Sequence, residues 1–339
     1  LAIGIIASMF TALVITRLIV NAFYAVGLRS EKLYYRPKKE REPIDFLSKK
    51  KVFFTISLVL IAAGVITIGV NAGRGKGAFA YSLEFQGGTS TNVTFDKDYS
   101  IDEIDKEIVP VVEKVTGDNN VQTQKVAGTN QVIIKTVTLD LDKREALNKA
   151  MVDNFGVDES KITAENISST VSNEMRRDAV IAVVIATICM LLYIWFRFKD
   201  IRFATSAVLA LLHDVLVVVG FYAIARISVG NTFIACMLTI VGYSINATIV
   251  IFDRIREEMR GKTKSSDVAA VVNKSITQTL TRSIYTSLTT FIMVAVLYVM
   301  GVSSIKEFAL PLMVGVVCGA YSSVCITGAL WYVMKRFKK

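Results

Sequence analysis

His213 and Asp214 stand side by side in the run Phe203–Ala225, with Ala-Leu-Leu before them and Val-Leu-Val after. A carboxylate in such a run is costly unless it is paired, hydrogen-bonded or titrating. Two chemistries fit: a structural hydrogen bond, or the handling of a proton or other cation. His213 is the single histidine and no two cysteines stand at ligand spacing, so the sequence gives no metal centre. A second set lies in Leu238–Arg260, where Gly242, Tyr243, Ser244 and Asn246 interrupt an apolar run that closes in alternating charges. At that closing end, Asp253 and Arg254 read as an interfacial pair holding helix ends. A third set begins at Arg282, followed by Thr286 and Thr290, four apart, and by Ser283 and Ser287, also four apart. Such a hydroxyl ladder can line a polar route or bond neighbouring helices. An arginine at its head either snorkels to the membrane border or holds a carboxylate in its charged form.

These residues need an apolar frame, and the composition supplies one. Of 339 residues 53% are hydrophobic and 20% charged, with mean hydropathy +0.48; soluble domains carry about 25% charged residues. Several apolar runs approach the twenty residues that cross a bilayer, so the fold class is a polytopic α-helical membrane protein. The net charge of +10 does not indicate nucleic acid. Between Asp96 and Glu165 fifteen acids face nine bases, a net of −6, so the remainder carries +16, mostly at the ends of apolar runs. Cys189, Cys236, Cys318 and Cys325 all lie inside apolar runs and read as small buried hydrophobes, not a disulfide framework. Gly73-Arg74-Gly75-Lys76-Gly77 lacks the context of a phosphate loop. Nothing points to an enzyme or a cofactor.

Seven spans follow: 1–26, 52–70, and five more within 179–334. Residues 27–51 form a basic linker, with nine Lys or Arg against four acids from Arg29 to Lys51, and read as a solvated loop. The turn Arg197–Arg202, the loop from Asp253 to Lys274 and the tail 335–339 are also basic. Basic segments favour the cytoplasmic side. The first helix then starts outside, the C-terminus is cytoplasmic, and residues 71–177 lie outside the membrane on the other side. Gly315, Gly319, Ser322 and Ser323 give the last span a small-residue face, and Pro311 can kink it. The chain opens inside an apolar helix, as a piece of something longer would.

Residues 77–173 form the one segment large enough for a soluble domain. Strand-like stretches at 81–94, 121–126, 131–137 and 161–171 alternate with helices at 100–115 and 140–155. Ser100 and Glu103 fit a capping box, and Gly117 and Gly156 close the helices. The order β-α-β-β-α-β predicts a ferredoxin-like α+β domain.

The blocks Leu83-Glu84-Phe85-Gln86-Gly87-Gly88-Thr89, Tyr193-Ile194-Trp195-Phe196-Arg197-Phe198 and Ala210-Leu211-Leu212-His213-Asp214-Val215 resemble the SecF protein-export membrane family, in its fused SecD–SecF form. So do Ile240 through Asn246, Phe252 through Glu257, Thr279 through Thr290, and Gly319 through Ser323. The resemblance covers about Lys49 to Lys339, and residues 1–26 resemble the last SecD helix. It implies a resistance-nodulation-division relative in the bacterial inner membrane. Such a protein assists the SecYEG channel, using a proton or sodium gradient to help draw unfolded secretory polypeptide across. The implied partners are a SecD-like half, SecYEG, the polypeptide and membrane lipids. Other readings are a superfamily exporter of small molecules or lipids, or a non-transporting structural subunit. Two positions depart from the family: Ala247 stands where it has an aspartate, and Glu84 replaces another. The ion route then relies on a SecD carboxylate, with Arg282, Asn246 and Asp214 in support and His213 beside it; alternatively the coupling ion or pathway differs, or this is an altered version. The element Glu84, Phe85, Gly87 and Gly88 belongs to the outer domain.

Overall fold

The computed structural model describes residues 2–30, 34, 42–74, 77–118, 121–126, 128–260, 267–300 and 303–336. Among the described residues, seven helices are long and apolar enough to cross a membrane: Ile6–Ala25, Lys50–Gly73, Ser172–Phe198, Ile201–Ala225, Asn231–Met259, Val268–Met300 and Ile305–Arg336. They are called the first to seventh spans.

The chain divides at Glu42 into two units. The first unit holds the first span, where Thr11–Ile15 forms a π-helical turn between α-helical segments Ala2–Phe10 and Thr16–Ala25. The Thr16 hydroxyl donates to the Thr11 carbonyl across that turn at 3.0 Å.

In the second unit the fourth, fifth and seventh spans are the most buried, and the second, third and sixth the least. Small residues let the helices approach. A Cβ on Gly64 of the second span would lie 2.6 Å from the Gly220 Cα of the fourth, so only glycine fits that crossing. A Cβ on Gly319 would lie 3.3 Å from the Ser244 Cβ, which brings the seventh span close against the fifth. At one end of the bundle Phe198, Phe203, Phe252 and Trp331 pack together, the Phe203 and Trp331 rings stacked at 4.8 Å. Leu47 is buried in the same cluster. The linker is therefore not solvated throughout. Asn273 of the sixth span accepts from the backbone amides of Phe46 and Leu47, both at 3.2 Å, and donates to Asp45 at 2.8 Å. Thr277 accepts from the Ile44 amide at 2.9 Å. The apolar side chains of Phe46 and Leu47, set among charges, account for this docking.

The polar segment folds as strand, helix, strand, strand, helix, strand. After a two-residue strand β1 (Ala80–Tyr81) come β2 (Gly88–Thr94), β3 (Gln122–Lys125), β4 (Gln131–Thr136) and β5 (Ile162–Ile167). The sheet order is β3-β4-β2-β5, all antiparallel, a split βαβ arrangement. Val93, Val132 and Ile134 on one face meet Ile104, Ile108 and Val112 of the first helix and Leu147 and Met151 of the second. Ser100 caps the first helix: Glu103 accepts from the Ser100 amide at 2.7 Å and its own amide donates to the Ser100 hydroxyl. Three interactions, largest first the Ser100 amide, then the Ser100 hydroxyl and Lys97, hold the Glu103 carboxyl at about 2.

Within 81–94 the strand begins at the Gly87-Gly88 break. Leu83–Gln86 forms a helical turn between β1 and β2. The reason is Phe85, which is buried among Tyr222, Met237, Ile240, Val294 and Val316 of the bundle. β1 itself pairs in parallel with β6 (Ser228–Val229), the short strand between the fourth and fifth spans.

Candidate functional site

Asp214 is fully buried in the fourth span, and four side chains converge on it. Its Oδ2 accepts from the Ser244 hydroxyl of the fifth span at 2.5 Å and from the Ser322 hydroxyl of the seventh at 2.7 Å. Its Oδ1 lies 2.9 Å from His213 Nδ1 and accepts from the Cys318 thiol at 3.3 Å. Cys318 and Ser322 are one turn apart on the same helix face. At Ser322 the seventh span widens into a π-helical segment, Ser322–Thr327, whose Ser323 hydroxyl donates to the Gly319 carbonyl at 2.5 Å. Such segments break the regular backbone ladder and often accompany functional sites. His213 Nε2 is buried and has no hydrogen-bond partner among the described residues. The adjoining Tyr321 hydroxyl donates to the Phe53 carbonyl at 2.7 Å and meets Ser57 at 3.4 Å, tying the second span to this layer.

Serine hydroxyls donate to an ionised carboxylate, and they rotate to accept from a protonated one. Among the described residues the ion pairs give Asp214 no lysine or arginine, only His213.

The other residues singled out in the sequence are not brought to this point. Arg282 is exposed, joins none of the ion pairs among the described residues, and is not paired with Asp214. Helical phase explains it: Thr279, Ser283 and Ser287 take the buried face of the sixth span, leaving Arg282, Tyr285, Thr286 and Thr289 on the uncovered one. Thr286 and Thr290 donate to the carbonyls of Arg282 and Thr286, both at 2.9 Å, so their hydroxyl protons stay within their own helix. Ser287 is buried with its hydroxyl unpartnered among the described residues. Asn246 is exposed and Ala247 half-buried, on a stripe with Ala235, Thr239 and Gly242 that this chain leaves uncovered.

Asp253 and Arg254 do hold helix ends, but not by pairing with each other. Asp253 accepts from Arg197 of the third span at 3.0 Å. Arg254 instead bonds Glu257 at 2.6 Å, Glu258 at 3.0 Å and Gln278 of the sixth span at 2.6 Å.

A separate joint links the polar domain to the bundle. Arg176, near the head of the third span, donates to the Phe85 carbonyl, and its guanidinium lies 4.9 Å from the Tyr81 ring centre. Gly87 and Gly88 follow with φ of +76° and +145°, conformations that demand glycine. Thr89 then locks β2, donating to Asn166 at 2.5 Å and accepting from the Leu139 amide at 2.8 Å. The Glu84 side chain lies outside the described residues. A cleft of about 240 Å³ opens beside the joint, lined by Tyr81, Gln86, Gly87, Asp118, Gln122 and Lys135.

The profile of the family described as "Protein export membrane protein SecD/SecF, C-terminal" matches residues 147–337. The chain belongs to this SecD/SecF protein-export family. It is 36% identical over 303 residues to the protein translocase subunit SecF of Petrotoga mobilis, covering 87% of this chain and 98% of that protein. It is 35% identical to SecDF of Bacillus subtilis, covering 86% of this chain and 38% of that longer protein. The crystal structure of Thermus thermophilus SecDF, titled a translocon-associated membrane protein, superposes with TM-score 0.81 at 30% identity, over 99% of this chain and 44% of that one. As a member of the SecD/SecF family the chain is a multi-pass membrane protein with a place in Sec-dependent protein export. Ser244, Cys318 and Ser322, which complete the Asp214 site, escaped the sequence reading as partners. The one signal was their small, polar character in apolar runs.

Proposed function

We propose that this chain couples a proton or sodium gradient to the late export of unfolded polypeptide beside the SecYEG channel, with Asp214 as its cation-carrying carboxylate. The observation that supports this is the complete burial of Asp214 within the bundle, held by hydroxyls suited to both of its charge states. A permanently charged carboxylate there would be costly, and a group that alternates between neutral and charged biases two packings of the helices around it. Ser322 begins the π-helical segment, so a change in its bond to Asp214 acts where the seventh span is least regular. Leu312 and Val316 of the same span pack in the cluster that holds Phe85, which gives the movement a path to the polar domain.

In this reading the uncovered stripes carrying Arg282 and Asn246 face a SecD-like half, which supplies the carboxylate that Ala247 lacks. The polar domain lies outside the cytoplasmic membrane and contacts the emerging polypeptide, while the basic ends contact cytoplasmic water and anionic lipid headgroups. No catalytic chemistry is involved. The test is Asp214→Asn in the full-length protein reconstituted with the channel. Loss of gradient-stimulated translocation with ATP-driven insertion intact supports the reading. Unchanged gradient dependence refutes it.

A further inference from the structure

The sequence holds one histidine and no paired cysteines, yet folding brings Cys318 across 104 positions onto the His213–Asp214 pair. The nitrogen, oxygen and sulfur ligand atoms of these residues all lie within 4.8 Å of one another. Their three separations are 2.9 Å from Nδ1 to Oδ1, 3.3 Å from Sγ to Oδ1 and 3.9 Å from Sγ to Nδ1. Tetrahedral zinc, with bonds of about 2.0–2.2 Å to nitrogen or oxygen and about 2.3 Å to sulfur, needs ligand-to-ligand edges of roughly 3.3–3.6 Å. The observed edges bracket that range, so small rotations of three side chains suffice.

We propose that His213, Asp214 and Cys318 form a binding site for a thiophilic divalent cation of the zinc class. Charge supports the choice. A thiolate, a carboxylate and a neutral imidazole around a divalent ion sum to zero, the condition that burial in an apolar bundle favours. The carboxylate is already divided for this task. Oδ2 is held by Ser244 and Ser322, while Oδ1 faces the nitrogen and the sulfur. Outer bonds of that kind orient a metal ligand. Binding releases the thiol proton of Cys318 to the solvent buffer, and the bound ion bridges the fourth span to the seventh just before its π-helical segment. Where Asp214 carries the coupling cation, as proposed above, the metal competes for the same carboxylate and arrests coupling. That consequence rests on the proposed function, whereas binding itself does not.

The test uses Co²⁺ as a spectroscopic probe on the full-length protein in detergent, with no gradient and no polypeptide. One equivalent of Co²⁺ is expected to give a thiolate charge-transfer band and the intense visible bands of a tetrahedral site, both displaced by Zn²⁺. Cys318→Ser is expected to abolish the charge-transfer band, and Ser322→Ala to weaken affinity about 10- to 100-fold. Cys236→Ser and Cys325→Ser are expected to leave the spectrum unchanged. Octahedral bands alone, or a charge-transfer band that survives Cys318→Ser, overturns the site. Translocation is measured separately: a cobalt-binding protein whose gradient-driven export ignores Zn²⁺ keeps the site and overturns the coupling role of Asp214.

Discussion

Replacing Arg176 by alanine removes two interactions from the joint at once. The guanidinium donates a charge-assisted hydrogen bond to the Phe85 carbonyl and rests against the Tyr81 ring. The first contributes about 1.5–3 kcal/mol and the second about 0.5–1 kcal/mol. Together they stabilise the closed joint by about 2–4 kcal/mol, a factor of roughly 30 to 1000 in its opening equilibrium. The amides of Phe85 and Gln86 both bond the Ser82 carbonyl at 3.0 Å and report that opening directly. Their hydrogen exchange in the full-length Arg176→Ala protein should accelerate by that factor, while amides in β4 keep their rates. Arg176→Lys retains a cation and should fall between the two. Gradient-stimulated export should decline in the same order, because the domain no longer follows the bundle. Unchanged exchange at Phe85 and Gln86 would refute the joint. Accelerated exchange with export unimpaired would refute its part in transmission.

Two further predictions concern stability. Asn273→Ala removes three hydrogen bonds from the docked Asp45–Leu47 segment and leaves the buried Leu47 amide unpartnered, so unfolding should become easier by about 2–4 kcal/mol; denaturant midpoints, with proteolysis at 43–48, measure it. Glu103 has its carboxyl held at about 2 against an ordinary 4.5, so its contribution is fully present above 4.5 and is lost as pH falls through about 2. Glu103→Gln should therefore lower unfolding midpoints of the polar domain at neutral pH, with the difference from the parent shrinking across that acid window.

The helical frame was legible because membrane spans announce themselves by length and hydropathy, and the domain because its strands and helices alternate with clear caps such as Ser100 and Gly156. His213 and Asp214 were legible for the opposite reason: polar residues in an apolar run are conspicuous. Their partners were not. Ser244 lies 30 positions from Asp214 and Ser322 lies 108, and only the close packing of Gly319 on Ser244 brings them together. Helical phase was the other gap. Arg282 and Asp214 suit each other chemically, but the sequence does not say which face of the sixth span this chain covers. Nor did charge counting reveal that Phe46 and Leu47 dock inside an otherwise basic linker.

Cation flux through the reconstituted full-length protein, measured with a translocating polypeptide present, tests the central claim most directly. It is recorded with pH and sodium gradients separately, in the parent, in Asp214→Asn and in Ala247→Asp. A flux is expected in the parent, with Ala247 in place, and its disappearance in Asp214→Asn. A flux that persists in Asp214→Asn, or that arises only once Ala247→Asp is installed, would contradict that claim.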